Sequence, residues 1–430
     1  MAAAEVVEAN LEVVGRSDLG GPGRFGAVAV VGTTAVVAAD PPEPGPSCPR
    51  ATAKVVDARD PERPAVVADL ELPAGRRVTD MAAVPVVADL FTGDLVAVAL
   101  GPLVGPDGPC PAPNADDVAY FDVTDPAEPR ALGGTDRCAT CPLGSEAVSL
   151  AQRGDGRVLS VRAAEGTVVV EDAGSHEGRM ELARWPAPLP SPGAGGCAAT
   201  PWVRDVELQD DGQGALVVLG DGRVHHLDLS DPAAPAGAEG TAATDGSAAA
   251  FAAVVPVGAL TLGIVAEEGC TDAPDAGGLR VFELEPGTTP VEREPVRFPG
   301  GSGPGRLVAS GELAYVAWHG QGVRVLDMGQ VRPRAVAQFI PAAADVVGVG
   351  LLPDHVVVTD RTSGLYVLER PDEGGDESSF WSSFVGILPY LGFAGVLAAT
   401  FLVPRLVAGR AAAGSGAGSP VPSRVPRRPA

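Results

Sequence analysis

One turn recurs along this chain. KVVDARDPERPAVVADLEL, AYFDVTDPAEPRALGG and HHLDLSDPAAPAGAEG each run a short apolar stretch into an acid, then Asp-Pro-x-x-Pro, then another strand-like run. Proline fixes the backbone of such a turn, and an aspartate side chain accepts a hydrogen bond from the backbone two residues on. Weaker copies read VVVEDAGSHEGRMELARW, RVFELEPGTTPVEREPV, VRVLDMGQVRPRAVAQF and LYVLERP. Their marker acids are Asp57, Asp122, Asp172, Asp228, Glu283, Asp327 and Glu369.

Each copy has the same order: an apolar stretch, a second β-rich run, the marker strand, and a strand after the turn. In the sixth copy these are RLVASG, LAYVAW, GVRVLDM and RAVAQFI. Short strands in fours, repeated seven times, predict an all-β, seven-bladed β-propeller. An array of β-sandwiches is the competing fold. The last copy stops after its third strand, LYVLE. LEVVGRSDL (Leu11 to Leu19) resembles PAVVADLEL (Pro64 to Leu72), so the N-terminal strand is expected to supply the missing outer strand and close the ring. Cutting off Leu11 to Leu19 should then open it.

The copies resemble LVIVD repeats, a group of bacterial surface β-propellers. The motifs that carry the resemblance are EVVGRSDLGG, VVDARDPERP, FDVTDPAEPR, LDLSDPAAP, WHGQGVRVLDMGQVRPRAVAQFIP and VVVTDRTSGLYVLE, and it covers about Asn10 to Arg370. It implies the propeller fold and little about activity. Inner strands of that family often begin with a histidine-containing turn; here the turns read GSEAVSL, VRDVELQDDG, FAAVVPV and PGRLVASG, without histidine.

Propeller geometry places the loop entering each inner strand and the loop between second and third strands on one face. All six cysteines fall in such loops: Cys48, Cys110 and Cys270 in the second kind, Cys138, Cys141 and Cys197 in the first. Disulfides tying long Pro-rich loops are their expected role. Zinc at Cys138-Ala-Thr-Cys141 is the alternative, and one CxxC without a second pair is weak support for it. The same face carries the channel mouth. Aligning the inner strands by first residue gives Ala27, Asp80, Glu146, Asp205, Ala252, Arg306 and Asp345. Asp80, Glu146, Asp205, Arg306 and Asp345 are therefore the candidate ligand-binding residues, for a cation or small cationic ligand, against the plainer reading of a solvated polar rim. His225 and His226 adjoin on one strand and face opposite ways. No catalytic triad, resident metal or cofactor is expected.

Phe380 to Val403 reads FWSSFVGILPYLGFAGVLAATFLV, without a charged residue. At about 1.5 Å per residue such a run crosses a hydrocarbon core of about 30 Å. Acids precede it (Asp372, Glu373, Asp376, Glu377) and arginines follow (Arg405, Arg410, Arg424, Arg427, Arg428), which puts the tail in the cytoplasm. The expected organisation is an N-terminal arm (1–10), the propeller (11–370), an acidic linker (371–379), a transmembrane helix (380–404) and a disordered basic tail (405–430). MAAAEVVEANLEVVGRS has no basic start or long apolar run, so export requires a longer precursor; otherwise the protein is tail-anchored with its bulk in the cytoplasm. The even cysteine count favours a single-pass plasma-membrane protein with the propeller outside.

A net charge of −24 makes nucleic acid a poor partner. Two functions fit: a non-catalytic, membrane-anchored platform binding a protein or cell-surface ligand, or a lactonase- or quinoprotein-like enzyme using mouth carboxylates and a bound cation. The second rests on fold analogy alone.

Overall fold

The structure, a computed structural model, describes residues 7–9, 11–21, 24–40, 50–88, 91–105, 108–110, 117–134, 144–164, 166–174, 180–188, 203–238, 248–268, 277–297, 303–330, 332–342 and 344–371. The apolar stretch Phe380–Val403, the tail, Cys48, Cys138, Cys141, Cys197 and Cys270 lie outside these residues. Among the described residues no helix is long and apolar enough to cross a membrane.

The chain is an all-β, seven-bladed propeller. Written from inner to outer strand, blade 1 is Arg24–Val31, Thr34–Asp40, Arg50–Asp57 and Ala65–Ala74; blade 2 is Arg76–Val87, Thr92–Pro102, Val118–Asp122 and Arg130–Gly134. Blade 3 is Ala147–Gln152, Val158–Ala164, Thr167–Asp172 and Met180–Pro186; blade 4 is Val203–Leu208, Gly214–Leu219, Val224–Asp228 and Ala236–Gly237. Blade 5 is Ala248–Val257, Leu260–Glu268, Gly277–Leu284 and Val291–Glu292; blade 6 is Leu307–Ser310, Leu313–Ala317, Val323–Asp327 and Arg334–Ile340. Blade 7 joins the two ends of the propeller: Val346–Leu351, His355–Asp360 and Gly364–Glu369, with Val13–Ser17 as its outer strand.

The closing register pairs Val13 with Leu368, Gly15 with Val367, Arg16 with Tyr366 and Ser17 with Leu365. This is the closure expected from the sequence. Gly364 has φ +94°, and a Cβ there would strike the Ser17 carbonyl, so the turn that admits the closing strand requires glycine. The N-terminal arm carries one further element. Val7–Ala9 forms a fifth strand on the outer edge of blade 6, pairing antiparallel with Gln338–Ile340. The arm thus spans two neighbouring blades before the first inner strand begins.

Why the strands read as continuous apolar runs is visible in blade 2. Val96, Val98 and Leu100 pack toward blade 1, while Leu95, Ala97 and Ala99 on the same strand pack toward blade 3. With period-2 alternation and a neighbour on each side, both sets are buried. The same arrangement goes round the disk: the seven larger apolar clusters each fill one seam between adjacent blades.

The marker turns work as their residue types dictate. Asp57 accepts from the Arg59 amide at 3.0 Å, Asp122 from Thr124 at 3.0 Å and Asp228 from Ser230 at 2.9 Å. The second aspartate of each motif repeats the device: Asp60 to Glu62, Asp125 to Ala127 and Asp231 to Ala233. The Arg59 side chain holds the Asp57 carboxyl below the usual carboxylate range, with the turn amide adding to it; at Asp122 burial is outweighed by Thr124 and Arg130, and at Asp228 the Ser230 amide lowers the carboxyl.

Candidate functional site

The antiparallel course of every blade sorts its connections by face. Connections between first and second strands and between third and fourth strands share one face, the turn face. There the longest are residues 58–64, 123–129, 173–179 and 229–235, seven each. Connections between second and third strands, and from blade to blade, share the entry face. These include residues 41–49, 103–117, 135–146, 187–202, 238–247, 269–276 and 293–306. All six cysteine positions belong to them. Cys110 is buried, its amide donates to the Leu103 carbonyl at 2.7 Å, and no described cysteine is free.

The inner strands surround a central cavity of about 340 Å³ lined by residues of all seven blades. In blades 1, 2, 4, 5 and 7 the pairing of inner and second strands slips near its entry-face end, as at Val78/Asp80 and Val203/Asp205. A bulge inserts an extra residue and re-aims the side chains beyond it. Asp80 and Asp205 directly follow such bulges, and both are buried.

These two carboxylates do the same job at two seams. Asp80 accepts from the Met81 amide at 2.6 Å on its own strand and from Val148 of blade 3 at 3.0 Å. Asp205 accepts from Val206 at 2.9 Å and from Ala252 of blade 5 at 2.6 Å. Each staples one inner strand to the next. Arg306, from blade 6, crosses the throat to pair with Asp80 and donates to the Thr79 carbonyl at 2.5 Å. Its guanidinium also lies 5.0 Å from the centre of the Phe251 ring.

Glu207 completes the throat. It sits two residues beyond Asp205 and lines the same cavity as Ser149 of blade 3, whose hydroxyl pulls its carboxyl down. Ser149 in turn accepts from the Leu208 amide at 3.1 Å. The throat therefore holds three carboxyls and one guanidinium among the described residues. Burial pushes the Asp205 carboxyl up to about 7, with Asp80 adding repulsion and Arg306 opposing. Burial likewise raises Asp80 against the pull of Arg306, and raises Glu207 well above its ordinary value, with Asp205 and Asp80 pushing it further. The Asp205 carboxyl therefore takes up a proton near neutral pH.

The other aligned positions do not converge on this point. Glu146 stays at the rim, raised by burial and pulled back by Arg77 and Arg204. Asp345 faces His319, whose Nδ1 lies 3.2 Å away, and Arg361, whose Nε lies 3.2 Å away. Ala27 packs partly into the seam with blade 2, and Ala252 contributes its amide. The expected ring of four carboxylates and one arginine is thus a throat trio, Asp80–Arg306–Asp205, flanked by two separate rim clusters. The reason is that the bulges and local arginines re-aim side chains that strand alignment treats as equivalent. Glu207 was missed by the alignment, although period-2 alternation puts it on the face of Asp205. No group of three or more His, Cys, Asp or Glu that could hold a metal occurs among the described residues.

The histidine pair divides as its strand geometry requires. His225 Nδ1 lies 3.0 Å from the Ala238 carbonyl, while His226 Nδ1 lies 3.2 Å from the Glu285 carbonyl of blade 5. Burial lowers the His226 pKa.

Fold and throat together define a seven-bladed propeller whose channel is crossed at its entry end by its own ion pair. No protein-family model and no curated protein matches the sequence. Among solved structures the chain is similar to Raptor of Chaetomium thermophilum, with a TM-score of 0.57 and 12% identity. That similarity covers 87% of this chain and 29% of that one, so this chain spans less than a third of the length of Raptor. At that identity the likeness shows the fold alone.

Proposed function

We propose that this protein is a non-catalytic interaction platform that presents the entry face of its propeller to a protein or cell-surface polymer. The observation that carries the reading is the asymmetry of the two faces. Turn-face connections never exceed seven residues, whereas the entry face carries connections such as 103–117 and 187–202. Long loops on a rigid scaffold are where binding residues concentrate. The throat supports the same reading. Asp80 and Asp205 are engaged with backbone amides across seams, and Arg306 is paired with Asp80. The similarity to Raptor is in keeping with a scaffold and carries no partner with it.

The finer parts of the proposal come from the sequence. The uncharged run Phe380–Val403 anchors the chain in the plasma membrane, with the propeller outside and the arginine-rich tail inside. The cysteines of the entry-face connections form disulfides in that oxidising space. The repeats belong with the LVIVD type.

The enzyme reading keeps one observation in its favour, a carboxyl at about 7 in a cavity. Binding of the purified protein to arrayed bacterial surface polymers and proteins separates the two. Replacing residues 41–49 and 269–276 by short Gly-Ser links abolishes platform binding, and Asp205→Asn leaves it intact. Stoichiometric calcium by elemental analysis, with binding that depends on Asp205 and not on the loops, would overturn the platform.

A further inference from the structure

The central cavity of about 340 Å³ has a lining of two characters. Asp80, Asp205, Glu207 and Arg306 are its charged residues, while Val28, Val30, Leu150, Val308, Leu351 and the Phe251 ring make apolar wall. Arg306 forms its ion pair with Asp80, whereas Asp205 and Glu207 form none among the described residues. These two acids stand two residues apart on one inner strand, about 7 Å along the same face. Asp205 rests on the Val206 and Ala252 amides, and Glu207 has no such backbone staple among the described residues.

We propose that the central cavity binds one small organic cation, a primary ammonium group on a straight alkyl chain, with the ammonium between Asp205 and Glu207 and the chain along the apolar wall. The proposal goes beyond the platform reading and is independent of it, since it concerns the channel and not the loops of the entry face.

Three observations carry it. The first is that the throat already holds an organic cation, its own. The Arg306 guanidinium is gripped by the Asp80 carboxylate, by the Thr79 carbonyl at 2.5 Å and by the Phe251 ring, whose centre lies 5.0 Å away. Carboxylate, carbonyl and ring face are the groups that replace water around an alkylammonium as well. The second is the charge left over. With its acids ionised, the lining carries three negative charges against one positive. Protons supply part of the balance at Asp205 and Glu207, whose carboxyls burial raises. An ammonium supplies the same charge together with three hydrogen-bond donors. The third is the wall. A cavity of 340 Å³ falls in the range of small-molecule sites, roughly 300–1,000 Å³, and its hydrocarbon side matches an alkyl chain. A hard divalent ion requires about six to eight oxygen ligands. This lining offers instead carboxyls spaced along a strand among aliphatic side chains, and no metal-holding group occurs among the described residues.

The test is calorimetric titration of the full chain at pH 7 with n-pentylammonium chloride, beside 1-pentanol, tetramethylammonium chloride and calcium chloride. Pentylammonium binds saturably and one to one. Pentanol, which lacks the charge, and tetramethylammonium, which lacks the N–H donors, bind at least tenfold more weakly. Glu207→Gln keeps the shape of the side chain and weakens pentylammonium at least tenfold, while Arg130→Met on the turn face leaves it unchanged. Hydrogen exchange of the unaltered chain slows at residues 148–150 and 203–208 when pentylammonium is added and not when pentanol is, so the site is located even where a throat variant fails to fold. Nα-acetyl-lysine N-methylamide separates two sources of the same group: affinity equal to that of pentylammonium assigns the ammonium to a lysine side chain offered by a partner, and at least tenfold weaker binding assigns it to a free amine. Absence of saturable pentylammonium binding, equal binding of pentanol, tighter binding of calcium, full affinity in Glu207→Gln, or slowed exchange elsewhere would each overturn the proposal. Each of these outcomes leaves the loop-replacement test of the platform untouched.

Discussion

Two buried charge clusters in this propeller look alike in composition and differ in consequence. At the seam of blades 2 and 3, Arg76 and Arg162 face Asp117 and Glu171, all at most 4% exposed. Arg162 lies 3.7 Å from Asp117 and 3.3 Å from Glu171, Arg76 lies 3.6 Å from Asp117, and Tyr120 donates to Ser160 at 2.7 Å within the same cluster. Two cations meet two acids, and apolar side chains of both blades surround them. In the throat, one guanidinium pairs with Asp80, and Asp205 and Glu207 line the same cavity. Burial raises Glu171 at the seam, but Arg162 and Tyr120 oppose it from direct contact. In the throat the acids raise one another. Charge balance makes the first cluster a fastener; its lack makes the second a proton store.

The largest effect should come from breaking the balanced cluster. Arg162→Met leaves Asp117 and Glu171 buried with too little positive charge. Removing one partner from a buried pair typically costs about 3–5 kcal/mol. Urea unfolding of the variant should show stability lowered by that amount, with little change between pH 6 and 8. A cost below about 1 kcal/mol would mean that the seam is held by its apolar contacts alone.

The same substitution in the throat should behave differently. Arg306→Met removes the cation from three acids whose proton affinity burial already raises, so they neutralise further instead of remaining charged. The loss should reach about 2–3 kcal/mol at pH 8, where charged hydrogen bonds are being removed, and shrink toward pH 5. Equal costs at the two pH values would put the throat in the same class as the seam.

These clusters also show what the sequence could and could not reveal. The blades were legible because each repeats a strand, an Asx turn and a proline at fixed offsets, a pattern with a backbone mechanism. The closing strand was legible because Leu11–Leu19 copies Pro64–Leu72. Asp80, Asp205 and Arg306 were legible by aligning the inner strands, although the structure places Asp80 fifth and Asp205 third in theirs and Arg306 just before the first residue of its own. Glu207 was not, since the alignment stopped at one residue per blade. The seam cluster was hidden for another reason. Arg162 stands in VLSVRAA and Asp117 in a connection, and nothing local says that two blades will bring them together. Val7–Ala9 carries too few residues to signal a strand, and its position depends on an edge more than three hundred residues away.

The proton store has a pH signature of definite sign. Asp205 titrates near 7 when folded and near 3.8 when its environment is lost. Between about pH 4 and 7 the folded protein therefore holds a proton that the unfolded chain has released. This contribution to stability is full below about pH 4 and is lost as pH rises through 7. Asp80 and Glu207 act in the same direction. The overall charge of −24 also favours unfolding as carboxylates ionise, so the comparison with Asp205→Asn isolates the throat. Wild type should lose about 1–2 kcal/mol more than the variant between pH 5 and 8, given roughly 1.4 kcal/mol for each tenfold change in proton affinity and sharing among three acids. Parallel pH profiles would refute the proton store.

The smallest effect belongs to an ion pair that resembles the others only on paper. Arg130 pairs with Asp122 on the turn face, but its side chain is 75% exposed while Asp122 is 4% exposed. Asp122 keeps its Thr124 amide and hydroxyl bonds whether or not the arginine is present. Water replaces the guanidinium at little cost, and exposed pairs contribute about 0–1 kcal/mol. Arg130→Met should therefore change the stability read from urea unfolding by less than about 1 kcal/mol, and 0.5 M salt should erase the difference. If it instead approached the cost of Arg162→Met, burial and charge balance would not be what separates fasteners from ornaments in this fold, and the distinction between seam and throat would lose its physical basis.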